Sequence, residues 1–315
     1  MVRYYLKVDG RLKELEQPEP GCWVNITPPF IQEELEEVAQ TFDTPLDFLT
    51  DSLDIDERSR YEIEDEARFI LVNTPVLNPT EEENDAIYIT VPIGIILADD
   101  HVITITSIEN PVLQRFLDDK VKNFDPAESI QFVLQILEHN VYRFLTCLKK
   151  LDLKRNLIEQ ELYHSSRNRE LKQLLSIEKS LVYFVNSLSA NDLLSLKMKR
   201  TDFLGIREDE EKFDLFEGII IDNGQALEMS NVYSNILSGT MDTYASIISN
   251  NMNVTIHRLT LVTIFLAVPT LIASFFGMNV PLPFQTSGFA VYFIIVLALV
   301  ISLLLAWYFQ KKRLF

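Results

Sequence analysis

The sequence predicts an α+β domain followed by a helical hairpin, a long stalk helix and two membrane-spanning helices. Three observations carry this: residues 259–310 contain no charged side chain and no histidine, an apolar period of three and four begins near 126, and β-branched runs punctuate the first 124 residues. The boundaries implied are 1–124 for a cytoplasmic α+β domain, 125–205 for the hairpin, 206–258 for the stalk, 259–277 and 288–310 for the two spans, 278–287 for the loop joining them and 311–315 for a basic tail.

In the first domain, 68–72 (RFILV), 87–97 (IYITVPIGIIL) and 101–107 (HVITITS) read as strands, being β-branched and separated by Asn, Pro, Gly and Asp. Between residues 32 and 41, Leu35, Val38 and Ala39 stand among acids as the apolar face of a short helix. From 126 onward Ile130, Val133, Leu134, Leu137, Val141 and Phe144 step by three and four, which predicts a first long helix to about 164. Residues 165–169 interrupt it, and Leu171, Leu174, Leu175, Leu181, Val185 and Leu188 return as an antiparallel partner. After a break near Gly205 helical spacing resumes. Asp222-Asn223-Gly224 is a turn signal that leaves open whether the segment kinks or splits. Continuous from 210 to 277, it would be about 100 Å long at about 1.5 Å per residue.

The uncharged stretch divides at 279–287 into two runs, each long enough to cross a hydrocarbon core of about 30 Å. Residues 293–309 offer no polar face, which a core helix of a soluble protein normally shows. Arg258 precedes the first run, Lys311, Lys312 and Arg313 follow the second, and the connecting loop carries no Lys or Arg. The bias of basic residues to the cytoplasmic side then predicts a multi-pass protein of the cell membrane with both termini inside. The first ten residues mix charged and apolar side chains and do not form a secretory signal.

The chain has 46 Asp plus Glu against 28 Lys plus Arg, a net charge of −18, which excludes nucleic acid as an expected partner and suits a cation. Cys22 and Cys147 show no metal-ligand spacing and fit a reducing compartment. There is no Walker motif, dinucleotide fingerprint, His-Glu-x-x-His or nucleophile elbow, so an enzyme is not expected and no prosthetic group is called for. His101, His139, His164 and His257 are scattered, as lone surface histidines would be.

On the first span Ser246, Asn250, Asn253, Ile256, Thr260, Thr263, Ala267, Thr270 and Ser274 advance by threes and fours and share one helix face. A small, polar stripe in an apolar segment serves either close helix packing or the lining of a pore. At the far end of that span stands Gly277-Met278-Asn279, preceded by Phe275-Phe276 and followed by an uncharged loop. Here the sequence resembles the CorA family of magnesium and cobalt channels, whose members carry this tripeptide at the outer end of the first of two C-terminal spans. The resemblance extends inward through Leu237-Ser238-Gly239, Asp242, Tyr244, Ser249-Asn250, Asn253, Leu259-Thr260, Pro269-Thr270 and Ala273. Two departures stand out: the loop lacks the acid of the family's frequent Met-Pro-Glu, and Ile256 replaces a common Met.

The resemblance implies a homopentamer in lipid, with first spans lining a central pore and second spans forming an outer ring. Asn279 and the Gly277 carbonyl would form the selectivity mouth, Asn253, Thr263 and Thr270 would be weak stations, and Ile256 with Leu259 the hydrophobic gate. Magnesium would be both the transported and the regulatory ion, sensed by acids for which Asp214, Glu217 and Asp222 are candidates. A zinc, cobalt or nickel transporter of the same superfamily is the alternative, and a membrane-anchored sensor with a non-conducting pore the alternative from another class. Met278 favours magnesium, since the zinc branch usually reads Gly-Ile-Asn.

Overall fold

The computed structural model describes residues 1–80, 85–164, 168–278 and 288–311. The chain divides into two compact units, Met1–Gly239 and Thr240–Phe315.

The first unit is built on a seven-stranded sheet of β1 (Val2–Val8), β2 (Arg11–Leu15), β3 (Trp23–Ile26), β4 (Arg60–Glu64), β5 (Ala67–Leu77), β6 (Tyr88–Ala98) and β7 (His101–Thr106), in the order β2-β1-β3-β7-β6-β5-β4. All neighbours are antiparallel except β3 and β7, which run parallel. Helices α1 (Gln32–Thr41) and α2 (Leu46–Asp51) pack on one face, and α3 (Pro111–Leu117), α4 (Ser129–His164) and α5 (Asn168–Thr201) on the other. This sandwich explains why the central strands read as unbroken apolar runs. In β5, Phe69 and Leu71 face α1 and α2 while Ile70 and Val72 face the larger helices, so both sides of the pleat must be apolar.

Trp23 anchors the larger core. Its ring lies 5.2 Å from Phe132 and 6.1 Å from Phe124, both edge-on, and its Nε1 donates to Thr104 Oγ1 at 2.7 Å. The indole therefore buries its area without stranding its donor. On the other face Gly94 of β6 allows a close approach: a Cβ there would lie 1.9 Å from Ser52 Oγ and 2.8 Å from Ile105 Cγ2. Ser52 is fully buried and donates to Phe48 O at 2.7 Å, so it cannot swing away without losing that bond. Gly94→Ala is expected to cost about 1–3 kcal/mol, the usual range for overpacking. A lowered thermal midpoint by circular dichroism checks this; an unchanged midpoint would mean that α2 yields freely.

Helices α4 and α5 form the antiparallel pair expected of the hairpin, with Phe144 edge-on to Phe184 at 5.3 Å. Residues 165–167, where the interruption is expected, lie outside the described residues. Helix α6 (Glu210–Phe276) runs unbroken through Asp222-Asn223-Gly224. Tertiary contact overrides the turn signal there: Asn223 is 1% exposed, and its Nδ2 donates to Leu188 O on α5 at 3.0 Å. Two histidines differ from the lone surface residues expected. His101 meets Cys22 Sγ at 3.5 Å and the Phe42 ring, and His139 packs on Phe116.

Candidate functional site: the first span and its approaches

The second unit holds the end of α6 and α7 (Ala290–Lys311). Both are long and apolar enough to cross a membrane, and only 6% of each apolar window is buried within the chain. That exposure is what distinguishes them from core helices. Leu261 and Ile264 share an apolar cavity of about 200 Å³ with Leu305, Ala306 and Phe309, so the start of one span lies beside the end of the other.

The contact face of α7 is a stripe the apolar composition concealed. Its least exposed positions include Ile294, Leu297, Ala298, Ile301, Ser302, Leu305 and Ala306, and Ala298, Ser302 and Ala306 recur every fourth residue. Small residues at that spacing let two helices approach closely in lipid. The facing side of α6 uses Leu261, Ile264, Val268, Ile272 and Phe276.

The predicted stripe is elsewhere on α6. Ser246, Asn250, Asn253, Ile256, Thr260, Thr263, Ala267, Thr270 and Ser274 are all exposed, and α7 covers none of them. Ile256 is 53% and Leu259 66% exposed, large apolar side chains without cover from their own chain. The threonines are held in one orientation: Thr260 donates to Ile256 O and Thr263 to Leu259 O, both at 2.9 Å, and Thr270 donates to Leu266 O at 2.8 Å. A hydroxyl has a single proton to give. Once it goes to the carbonyl four residues back, the side chain presents only lone pairs outward, which is what the water shell of a cation requires. Pro269, without an N–H, also releases the Phe265 carbonyl from its intrahelical bond.

At the helix end, Gly277 N donates to Ala273 O at 3.0 Å, so the helical bonding carries into the tripeptide. Its φ is not positive, so the helix does not end on a left-handed turn at this glycine. Asn279 lies outside the described residues, as does the loop to 287.

The three candidate sensor acids lie on the part of α6 in the first unit and differ in their surroundings. Glu217 is paired with Lys199 of α5, whose Nζ also stands 5.4 Å over the Phe213 ring. Asp214 and Asp222 are exposed and have no ion pair among the described residues. No three metal-ligating side chains cluster among the described residues.

Comparison with known proteins adds an independent line. The solved structure of the CorA magnesium transporter from Methanocaldococcus jannaschii superposes with a TM-score of 0.80 at 23% identity, covering 99% of this chain and 98% of that one. The full-length CmaX protein superposes at 0.70 with 16% identity, over 99% and 97% of the two chains. In sequence, the cobalt/magnesium transport protein CorA of M. jannaschii is 27% identical over 298 residues, which span 92% of this chain and 90% of the relative. The family model described as CorA-like Mg2+ transporter protein matches residues 19–313, nearly the whole chain, and the chain belongs to that family.

Proposed function

We propose that the chain is one subunit of a homopentameric channel that admits hydrated magnesium across the cell membrane, with both termini in the cytoplasm. The observation that carries this is the exposed, uncharged stripe of α6, which α7 leaves uncovered and which leads to Gly277-Met278-Asn279. Around a five-fold axis the stripe lines a pore. Magnesium is small and gives up water reluctantly, so a fast pathway gains by passing it with its shell intact. Neutral acceptors then suffice: Asn279 amides and Gly277 carbonyls at the mouth, and Asn253, Thr263 and Thr270 as weak stations inside. Rings of Ile256 and Leu259 close the path by excluding water.

Magnesium uptake into vesicles reconstituted with the full chain tests the reading, with the mass of the assembly measured on the same sample. Saturable uptake by a pentamer is expected. A monomer or dimer, or vesicles no leakier than protein-free ones, would remove the proposal.

The regulatory reading is that cytoplasmic magnesium bridges acids of adjacent subunits and holds the closed state, and that its loss leaves like charges opposed. Asp214 and Asp222 suit this better than Glu217, which Lys199 already neutralises. Millimolar magnesium is expected to slow proteolysis of the cytoplasmic part. Cleavage at one rate with magnesium and with chelator would sink the sensor while leaving the pore intact.

A further inference from the structure

A cavity of about 1000 Å³ opens in the first unit between the edge of the sheet at β4 and helix α5, and transport uses none of it. Its walls come from residues 55–61 and from the α5 residues Tyr183, Asn186, Ser187 and Lys197, with Asn73 and Thr90 as its floor. Charge is the first clue to an occupant. The lining carries Asp56, Glu57, Arg58, Arg60 and Lys197. Arg60 is engaged by Asp51, Glu57 and Glu62, which uses up Glu57 as well. Arg58 and Lys197 have no ion pair and no side-chain hydrogen bond among the described residues, against one unpaired carboxylate, Asp56. In a chain of net charge −18, a lining with three cations against two acids is locally positive, which suits an anion.

The rest of the lining says what kind. Tyr183 is 44% exposed and its ring has no aromatic neighbour among the described residues, although it lines the cavity. The floor is polar and ordered: Ser187 Oγ donates to Thr90 Oγ1 at 2.8 Å, and Asn73 Nδ2 donates to Ser59 Oγ at 3.1 Å. A lone phosphate would leave most of the space and the ring unused. A peptide cannot add to β5 beyond the end of β4, where the outward backbone groups are already taken. Where β4 ends, Asn73 N donates to Asn191 Oδ1 at 3.1 Å, Asn73 O accepts from Asn140 Nδ2 and Asn191 Nδ2, both at 2.9 Å, and Pro75 has no N–H to offer.

We infer that this cavity binds a nucleoside triphosphate, its base laid on Tyr183 and its phosphate chain extended toward Arg58 and Lys197, since Tyr183 and Lys197 stand about 21 Å apart along α5. Asn186 and Asp56 supply the polar edge that the sugar and base require. The volume lies at the upper end of the range of about 300–1000 Å³ usual for such ligands.

The test is equilibrium dialysis of the full chain in detergent with labelled ATP and AMP, free magnesium being fixed by buffer. Saturable binding of ATP with one site per chain is expected. Arg58→Ala with Lys197→Ala should weaken it about tenfold or more. Tyr183→Ala should weaken ATP, AMP should bind far more weakly than ATP because it is too short to reach from Tyr183 to Lys197, and inorganic phosphate and tripolyphosphate should compete poorly. All three residues are exposed or at the cavity mouth, so circular dichroism is expected to show intact folds. No binding to the assembled wild type, binding indifferent to these substitutions, or tripolyphosphate competing as well as ATP would each overturn the inference.

Discussion

Asn279→Ala is expected to abolish magnesium uptake by a channel that still assembles. The side-chain amide offers an acceptor oxygen to the waters around an incoming ion, and alanine offers none. Nothing else in the loop compensates, because residues 280–287 contain no acid. Asn279→Asp separates an acceptor from a charge. Like carboxylates crowded round one axis attract a divalent cation strongly and oppose its exit equally, so tighter binding with lower throughput or selectivity is expected. Neither change should unfold the protein, since α6 ends at Phe276, before this residue. Vesicle uptake, with assembly checked on the same sample, decides the matter. Wild-type uptake by Asn279→Ala would move the selectivity site inward, to Asn253 or Thr270.

What the sequence disclosed followed the strength of local periodicity. The short helix α1 occupies the residues its Leu35, Val38 and Ala39 pattern marks, and the long apolar steps from Ile130 and Leu171 became α4 and α5. Strands β5 to β7 showed because burial on both faces makes them rich in apolar and β-branched residues. The edge was harder to see. Strand β4, Arg60–Glu64, is mostly charged, and β1 mixes Arg3 and Lys7 with apolar residues because part of it is exposed. The parallel pairing of β3 with β7 joins segments far apart in the chain, and no local signal records it.

The site was legible in a different way. The stripe of α6 stood out because small and polar residues interrupt an apolar segment, and their exposure in the structure agrees with an unfilled role. The Ala298, Ser302 and Ala306 stripe carried the same four-residue signal, yet Leu, Ile and Val around it hid the polarity contrast. A single chain also cannot bring copies of one residue together. Among the described residues Asp214 and Asp222 therefore belong to no ligand set, and of the three acids Glu217 has an ion-pair partner that argues against a sensing role.

Leu259→Ser should leave the channel conducting when cytoplasmic magnesium is high. Ile256 and Leu259 stand three residues apart on α6 and are 53% and 66% exposed, so copies of them can meet around an axis. A ring of such side chains holds no water, and an ion that keeps its shell cannot enter a dry constriction. Serine is smaller and carries a hydroxyl, so the ring becomes wide and wettable next to the acceptor oxygens of Thr260 and Thr263. A residual flux raised about tenfold or more at millimolar internal magnesium corresponds to a barrier lowered by about 1.4 kcal/mol or more. Leu259→Ile keeps the apolar surface and should close normally, which separates wetting from mere disturbance of the helix. Should Leu259→Ser and Ile256→Ser both retain full closure with unchanged mass, the barrier must be formed by another ring, and Ala267, the next apolar member of the stripe toward Asn279, would be the position to replace.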